Sequence, residues 1–273
     1  MKSGRKSFLE KKSAWVRREV LSIHRTAKEP RLSSSLSCVE IFVALYYGGV
    51  VKYDPSDLKW EKRDRMIVSK GHGGIPLYPI FADLGFFHKK ELKQVCRKDA
   101  LLGSMPDPNI PGFETINGSL GHGLGVACGM ALALKRTKNS AEIFVLLGDG
   151  ELYEGSVWEA IMFAAHRRLD NLTVIVDNNK VCMLGRCRNI LNLEPLEKKF
   201  EVFGWDTVSA DGHDASRLAD ILKKLKKQKR GKPKIIVADT VKGKGVPVLE
   251  RDALSHIKTL TDEQVDATIR GMK

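Results

Sequence analysis

The chain has 273 residues, of which 46 are Lys or Arg and 33 are Asp or Glu, so its formal net charge is +13. Hydrophobic residues make up 42% of the sequence, which is enough for a sizeable core and excludes wholesale disorder. The longest apolar stretch, residues 41–51, is far shorter than the roughly 20 residues that span a bilayer, so we expect no membrane segment.

The cysteines and the N-terminal segment indicate a reduced, cytoplasmic protein. There is no CxxC pair among the five cysteines, and the closest two, Cys182 and Cys187, fit neither a zinc pattern nor an obvious disulfide framework. Residues 1–12 are basic and lack the apolar core of a secretory signal.

The positive charge is concentrated in residues 2–18 and 223–234. Such a surface could face nucleic acid, a membrane or acidic small molecules. No nucleic-acid-binding motif accompanies either run, so we favour a solvated surface, with phosphorylated metabolites as reasonable partners.

The first part of the chain is predicted to be mainly helical. Its first helix is predicted from apolar residues at helical spacing, which are Leu9, Val16, Val20, Ile23 and Ala27. After an irregular stretch at residues 29–35, Ser37 and Glu40 have the spacing of a capping box for a helix that ends near residue 48.

The rest of the chain alternates strands with helices. A short strand at 65–69 precedes helices at 76–84 and 89–98, and a Pro- and Gly-rich loop at 103–118 precedes a Gly- and Ala-rich helix at 118–135. The remaining elements are predicted as strands at 142–147, 172–176, 206–209 and 234–240, and helices at 153–168, 195–203 and 215–227. This alternation predicts an α/β fold: a doubly wound, mainly parallel sheet with helices on both faces, in a single domain over residues 1–273.

Oxygen-bearing side chains follow two successive predicted strands. Gly148-Asp149-Gly150 comes after the first, and Asp177-Asn178-Asn179 after the second. The carboxyl ends of parallel strands form the ligand-binding crevice of such sheets. Mg²⁺ prefers oxygen ligands and often shares phosphate oxygens and water with one or two protein ligands. Asp149, Asn179 and a backbone carbonyl just beyond could therefore form the protein half of a magnesium shell.

This pair of motifs resembles the thiamine diphosphate fingerprint, and residues 17–262 resemble the N-terminal, diphosphate-binding half of transketolase. The motifs that carry the resemblance are Lys70-Gly71-His72-Gly73, Gly118-Ser119-Leu120-Gly121-His122-Gly123, Gly148-Asp149-Gly150-Glu151-Leu152-Tyr153-Glu154-Gly155, Asp211-Gly212-His213-Asp214 and Lys242-Gly243-Lys244-Gly245-Val246. The resemblance implies thiamine diphosphate and Mg²⁺, with Ca²⁺ or Mn²⁺ as substitutes, as cofactors.

The resemblance also implies roles for individual residues. It gives Asp149, Asn179 and the backbone oxygen of Val181 as metal ligands. It gives the cofactor-binding residues as His72, Gly118, Leu120, Gly148, Asp149, Gly150, Glu151, Asn179 and His256. It gives Glu154 as a catalytic residue, in an acidic network that reaches a subunit interface. His122 is the other catalytic candidate; it stands where transketolases usually have glutamine, and the alternative is an ordinary hydrogen-bonded residue at a helix start. It gives no role to His213. Each of these residues also has a possible structural role that involves no ligand. Asp149 and Asn179 could cap turns, and Glu154 could be an acid in the first turn of a helix, where the helix dipole favours it.

Two positions depart from the family pattern. Arg31 and Met105 align with histidines that handle the ketose donor in transketolases. An Arg offers a planar fork for a carboxylate or phosphate, so we expect an altered donor.

The leading expectation is a transferase of aldehyde or ketone groups that moves a two-carbon ketol unit between sugar phosphates. One alternative keeps the cofactor and takes a 2-oxo acid or an unusual ketose, in the manner of deoxyxylulose-phosphate synthase. The alternative of another class is a non-catalytic basic protein that binds nucleic acid or acts as a scaffold. Transketolase is more than twice as long as this chain, so its pyrimidine-binding and C-terminal domains are expected on a partner chain, in a heterotetramer.

Overall fold

The computed structural model describes residues 2–28 and 31–272, and a parallel sheet lies at its centre. In chain order the strands are β1 (Arg65–Val68), β2 (Ile143–Gly148), β3 (Leu172–Asn178), β4 (Val181–Cys182), β5 (Gly185–Arg186), β6 (Asp206–Asp211) and β7 (Lys234–Asp239). The five-stranded sheet has the order β1-β2-β3-β7-β6 with every neighbouring pair parallel, and β4 and β5 form a separate antiparallel hairpin.

Helices connect the strands of the sheet. The α-helices are α1 (Lys2–Ala27), α2 (Leu32–Leu36), α3 (Val39–Tyr46), α4 (Leu77–Leu84), α5 (Gly123–Arg136), α6 (Gly155–His166), α7 (Cys187–Ile190), α8 (Leu196–Val202), α9 (Ala215–Lys227), α10 (Pro247–Glu250) and α11 (Asp262–Gly271). Short 3₁₀ helices span Gly71–Gly73, Lys89–Lys93, Gly150–Tyr153 and Ser255–Ile257. Within the described part of the chain, none of the helices combines the length and the apolar character needed to cross a bilayer.

The sheet is covered on both faces. Successive side chains of a strand point to opposite faces, so Phe144 and Leu146 of β2 join one apolar cluster while Val145 and Leu147 join the other. Helices α1, α3, α4 and α9 pack on the first face, and α5, α6 and α8 on the second. Both faces being buried explains the continuous apolar runs of the strands and confirms the predicted doubly wound α/β fold.

The parallel register brings the carboxyl ends of the central strands to one edge. Gly148 at the end of β2 pairs with Asp177 of β3, and Asn178 of β3 pairs with Asp239 at the end of β7. The loops that follow these strands therefore start side by side.

Several predicted element boundaries are wrong, and the causes are tertiary contacts. Residues 32–36 are helical although three serines lie there, because burial of the whole segment overrides weak helix propensity; residues 29 and 30 lie outside the described residues. Ser37 does not cap α3: its hydroxyl donates to the Asp177 carboxylate at 2.6 Å, and no side chain caps the start of that helix.

Left-handed backbone explains two further differences. The helix predicted at 89–98 is reduced to the 3₁₀ turn Lys89–Lys93, and Cys96 beyond it has a φ of 61°. The helix predicted from residue 118 starts at Gly123, because Gly121 just before it has a φ of 86°. In addition, β3 continues to Asn178, so Asp177 lies inside the strand and not after it.

Candidate functional site

A cleft of about 460 Å³ opens at the edge of the sheet where β1, β2, β3 and β7 end. The predicted cofactor, metal and substrate residues in its lining are Arg31, His72, Met105, Gly118, Leu120, Gly148, Asp149, Gly150, Glu151, Asn179, Val181 and His256. Residues that are far apart in the sequence thus meet in one cavity, as the strand-end argument expects.

The predicted metal ligands lie together and are held by the backbone. The Asp149 carboxylate accepts hydrogen bonds from the amides of Gly150 (2.7 Å) and Lys180. The side-chain oxygen of Asn179 accepts from the Val181 amide at 3.2 Å. The Asn179 Nδ2 donates to the Asp177 carboxylate at 3.2 Å, which fixes which end of the amide is oxygen.

Asp149 carries an unfavourable charge in this position. Burial, followed by the negative charge of Asp177, raises the pKa of the Asp149 carboxyl to about 6. A divalent cation beside Asp149 would offset both effects.

The donor set fits Mg²⁺ shared with a diphosphate. It comprises a carboxylate, an amide oxygen and a carbonyl, all hard oxygen donors. The Lys242 ammonium donates to the Val181 carbonyl oxygen at 2.7 Å, so a positive group already lies on the cleft side of that carbonyl. In residues 2–28 and 31–272 no group of three or more His, Cys, Asp or Glu side chains could hold a metal alone. The remaining ligands of a cation at Asp149 would therefore be water and oxygens of a cofactor.

The floor of the cleft is a buried ion pair that the sequence analysis missed. The Lys70 ammonium pairs with the Asp177 carboxylate, and both side chains are almost wholly buried. Asp177 also accepts from the hydroxyls of Ser37 and Thr240, and its pKa is lowered by Lys70 and these hydrogen bonds despite the opposing effect of burial. The signal for Lys70 was its position two residues after the end of β1, at a carboxyl end of the sheet.

Two histidine rings in the lining of the cleft contact each other, since the centroids of His72 and His256 are 5.1 Å apart. Burial and then nearby positive charges lower the pKa of His72 well below its usual value and that of His256 to about 4. Nδ1 of His256 lies 3.0 Å from the Lys242 ammonium, so it accepts, and Nε2 carries the proton that His256 can donate. Both imidazoles are therefore neutral donors at neutral pH.

Lys242 is a second buried lysine, to which the sequence analysis gave no role. Burial, followed by the charge of Lys70, lowers the pKa of its ammonium to about 8. An anion in the cleft would favour the charged form of Lys242.

Glu151 lines the cleft, but its carboxylate is committed to the protein. It accepts from the Ser69 hydroxyl and from the amides of Gly121 (3.0 Å) and Gly148 (3.2 Å). It thereby ties the glycine-rich segment before α5 to the turn after β2.

The two predicted catalytic residues, Glu154 and His122, are not in the lining of the cleft. Both are exposed at the starts of α6 and α5. They flank Gly121, where a Cβ would come within 2.7 Å of the Cβ of Glu154. The structure brings these residues near each other on an outer face, next to the cleft wall.

The two residues that depart from the family pattern, Arg31 and Met105, both line the cleft. The Met105 sulfur lies close to Gly71, beside the histidine loop that carries His72. Arg31 contributes to the low pKa of His72 and His256, which places its positive charge near both rings.

The rim of the cleft contains exposed apolar side chains that the sequence analysis did not identify. Met183 and Leu184 at the tip of the β4–β5 hairpin are 63% and 70% exposed, and Ile190 is 45% exposed. An apolar rim on a polar floor suits a ligand with an apolar part and a charged part.

Comparisons with known proteins agree with this geometry. Residues 17–272 match the family described as the transketolase thiamine diphosphate binding domain. The 6-deoxy-6-sulfo-D-fructose transketolase subunit of Clostridium sp. (strain MSTE9) is 40% identical over 243 residues, which are 89% of this chain and 88% of that one. An apulose-4-phosphate transketolase subunit of Actinobacillus succinogenes is 38% identical over 267 residues, 97% of this chain and 96% of that one.

Among solved structures, the transketolase of Campylobacter jejuni matches with a TM-score of 0.88 and 28% identity. The match covers 96% of this chain but 42% of that one, so the chain spans about two fifths of a solved transketolase. The sheet order, the cleft and these matches lead to one conclusion: the chain belongs to the transketolase family, in which it corresponds to the N-terminal, thiamine diphosphate binding domain.

Proposed function

We propose that this chain is the cofactor-binding subunit of a split transketolase. With thiamine diphosphate and Mg²⁺ it would transfer a two-carbon ketol unit between sugar phosphates. The observation that carries the proposal is the shared cleft: oxygen donors from the ends of β2 and β3 lie beside buried lysines and neutral histidines. Family membership supports the reaction class.

In this proposal the chain's own residues bind and neutralise the diphosphate. Asp149, Asn179 and the Val181 carbonyl would hold Mg²⁺, or Ca²⁺ or Mn²⁺ in its place. His72, His256 and Lys242 would face the diphosphate as donors, so no bare anion is buried. When bound, thiamine diphosphate supplies a nucleophilic carbon and an electron sink, so the protein need not supply a nucleophile.

A partner chain is part of the proposal. The chain spans 42% of the Campylobacter jejuni transketolase, whereas relatives named as subunits match it over almost their whole length. We propose that residues 1–273 form one domain and that a second chain carries the pyrimidine-binding and C-terminal domains, in a heterotetramer. Helices α5 and α6 leave apolar side chains exposed, and these support a surface for the second chain on the two helices. They are Val126, Met162 and Phe163. Glu154 and His122 start these same helices, so the partner would meet them there.

Arg31 favours a donor other than the usual ketose. Its side chain lines the cleft where Met105 also lies. The two relatives above are named for a sulfo-sugar and for a phosphorylated sugar. We propose an unusual ketose as donor, with Arg31 contacting an anionic group on it. The alternative donor is a 2-oxo acid, in which case the transferred unit would not come from a sugar phosphate.

The nucleic-acid alternative has less support. Many cations of the two basic runs pair with carboxylates of the chain itself: Arg5 with Asp220 (2.6 Å), Lys12 with Asp83 (2.5 Å), Lys226 with Asp64, and Lys229 with Glu142. These ion pairs reduce the positive potential that a polyanion such as nucleic acid would meet at the surface. The cysteines of the described residues form no disulfide with one another, and we propose a reducing compartment such as the cytoplasm.

The binding proposal is tested with Asp149→Asn, which keeps the size of the side chain and removes its charge. In the wild-type chain, thiamine diphosphate with Mg²⁺ should raise the melting temperature, because a ligand of the folded state stabilises it. In the variant, affinity for thiamine diphosphate at fixed Mg²⁺ should fall at least about tenfold, since the cation loses its carboxylate ligand. Calorimetric titration measures this. The matched control, Asp220→Asn, changes an exposed carboxylate and should bind like wild type. Equal affinity in all three proteins, or no Mg²⁺-dependent binding with or without the partner, would refute the proposal.

The partner surface is tested with Val126→Glu on α5. Burying this charge against a second chain is unfavourable, so we expect loss of the complex in gel filtration and loss of activity, with an unchanged melting temperature of the single chain. Val248→Glu on α10 is the control, because Val248 is 40% exposed and α10 packs in the apolar cluster on the other face of the sheet. Full transketolase activity from the single chain, or normal assembly of Val126→Glu, would contradict the proposed interface.

Donor choice is tested with Arg31→Ala and Arg31→His. If Arg31 contacts an anionic group, kcat/KM for donors with that group should fall about tenfold or more while donors without it change little, because a charge-assisted hydrogen bond contributes roughly 1.5–3 kcal/mol. A donor panel assayed on the assembled enzyme measures the ratio. An unchanged ratio in both variants would remove Arg31 from the account.

A further inference from the structure

His213 lies behind the cleft, in the turn between β6 and α9, and the proposed function assigns it no part. Its side chain is largely buried and makes two hydrogen bonds. Nε2 accepts from the backbone amide of Val241 at 2.8 Å, and Nδ1 lies 2.8 Å from a carboxylate oxygen of Glu40. Because an amide N–H can only donate, Nε2 is the unprotonated nitrogen, and Nδ1–H donates to Glu40.

The Glu40 side of this contact is rigid. Glu40 belongs to α3, and its other carboxylate oxygen accepts from Arg17 of α1 at 2.6 Å. Both side chains of the Arg17–Glu40 pair are about nine-tenths buried. The imidazole is thus anchored to two helices that pack on the sheet, and its orientation is set before any ligand binds.

The other side of the contact is the loop that follows β7. Residues on either side of Val241 reach towards the floor of the cleft: the Thr240 hydroxyl donates to Asp177, and the Lys242 ammonium lies 2.7 Å from the Val181 oxygen and 3.0 Å from Nδ1 of His256. The Val241 side chain itself is 37% exposed. The amide of Val241 is therefore the point at which His213 can fix the peptide that carries Lys242.

We propose that His213 is a positioning residue: it holds the Val241–Lys242 peptide so that the Lys242 ammonium is kept beside the metal and diphosphate end of the cleft. The inference rests on the proposed function, because the ligand that Lys242 would meet is the magnesium–thiamine diphosphate complex. Without the imidazole the Val241 amide would donate its hydrogen bond to water. The Lys242 side chain would then become ordered only when the ligand binds. Such ordering lowers affinity.

The experiment is a double-mutant cycle on the chain with His213→Ala, Lys242→Met and the double variant, measuring the Kd of thiamine diphosphate at saturating Mg²⁺. His213→Ala should weaken binding about tenfold in the wild-type background and less than about twofold in the Lys242→Met background, because the two residues act as one unit. His213→Gln should restore most of the affinity, since its amide can accept from Val241 and donate to Glu40. His88→Ala, at an exposed histidine just before the 3₁₀ turn Lys89–Lys93, is the control and should bind like wild type.

Urea unfolding without cofactor separates a general loss of stability from this role. If His213→Ala only lowers stability, affinity for thiamine diphosphate should change equally in the wild-type and Lys242→Met backgrounds, and that result would overturn the proposal. Unchanged affinity in His213→Ala would overturn it as well. If His213→Ala does not fold, the comparison of His213→Gln with wild type decides: an affinity loss of tenfold or more in that variant would count against the inference. Absence of Mg²⁺-dependent binding by the wild-type chain and its complex would instead refute the proposed function, and this inference with it.

Discussion

The cleft is organised by one buried carboxylate. Asp177 is fully buried in β3, and groups from four segments donate to it: Lys70 after β1, Ser37 between α2 and α3, Asn179 after β3, and Thr240 after β7. An ionised carboxylate in the interior is costly unless it is paired and hydrogen-bonded. The donors offset that cost, and in doing so they hold the strand-end loops in one arrangement.

This arrangement has an electrostatic consequence for the neighbouring strand. The charge of Asp177 is matched mainly by Lys70, yet together with burial it still disfavours a second negative charge at Asp149, whose pKa is raised to about 6. Lys242 shows the opposite effect, since burial and Lys70 lower the pKa of its ammonium to about 8. The surroundings thus disfavour the charged form of an acid and of a base in the same cleft. A cation at Asp149 and an anion at Lys242 would each be favoured, and a magnesium–diphosphate complex provides both.

The sheet and the metal-ligand candidates could be predicted because they depend on local pattern. Apolar runs of strand length locate β2 and β3, and parallel geometry then brings Asp149 and Asn179 to one edge. The resemblance to transketolase added His72 and His256, which the fold brings to within ring contact.

Other features depend on tertiary contacts that local pattern does not show. Lysines are usually surface residues, so local pattern does not assign Lys70 and Lys242 to the interior. Local pattern also places Asp177 after β3, because the pairing of Asp177 and Asn178 with β7 decides where that strand ends. Glu154 and His122 lie outside the cleft in this chain, and their predicted roles depend on a partner surface.

The central claim is that the ends of β2 and β3 hold a divalent cation that shares its ligands with a diphosphate. The most direct measurement is pulsed electron paramagnetic resonance of the chain with Mn²⁺ and thiamine diphosphate, together with its partner. The account predicts hyperfine coupling between Mn²⁺ and phosphorus, which is lost when Asp149 is replaced by Asn. Thiamine diphosphate bound without such coupling, or coupling that persists without the Asp149 carboxylate, would contradict it.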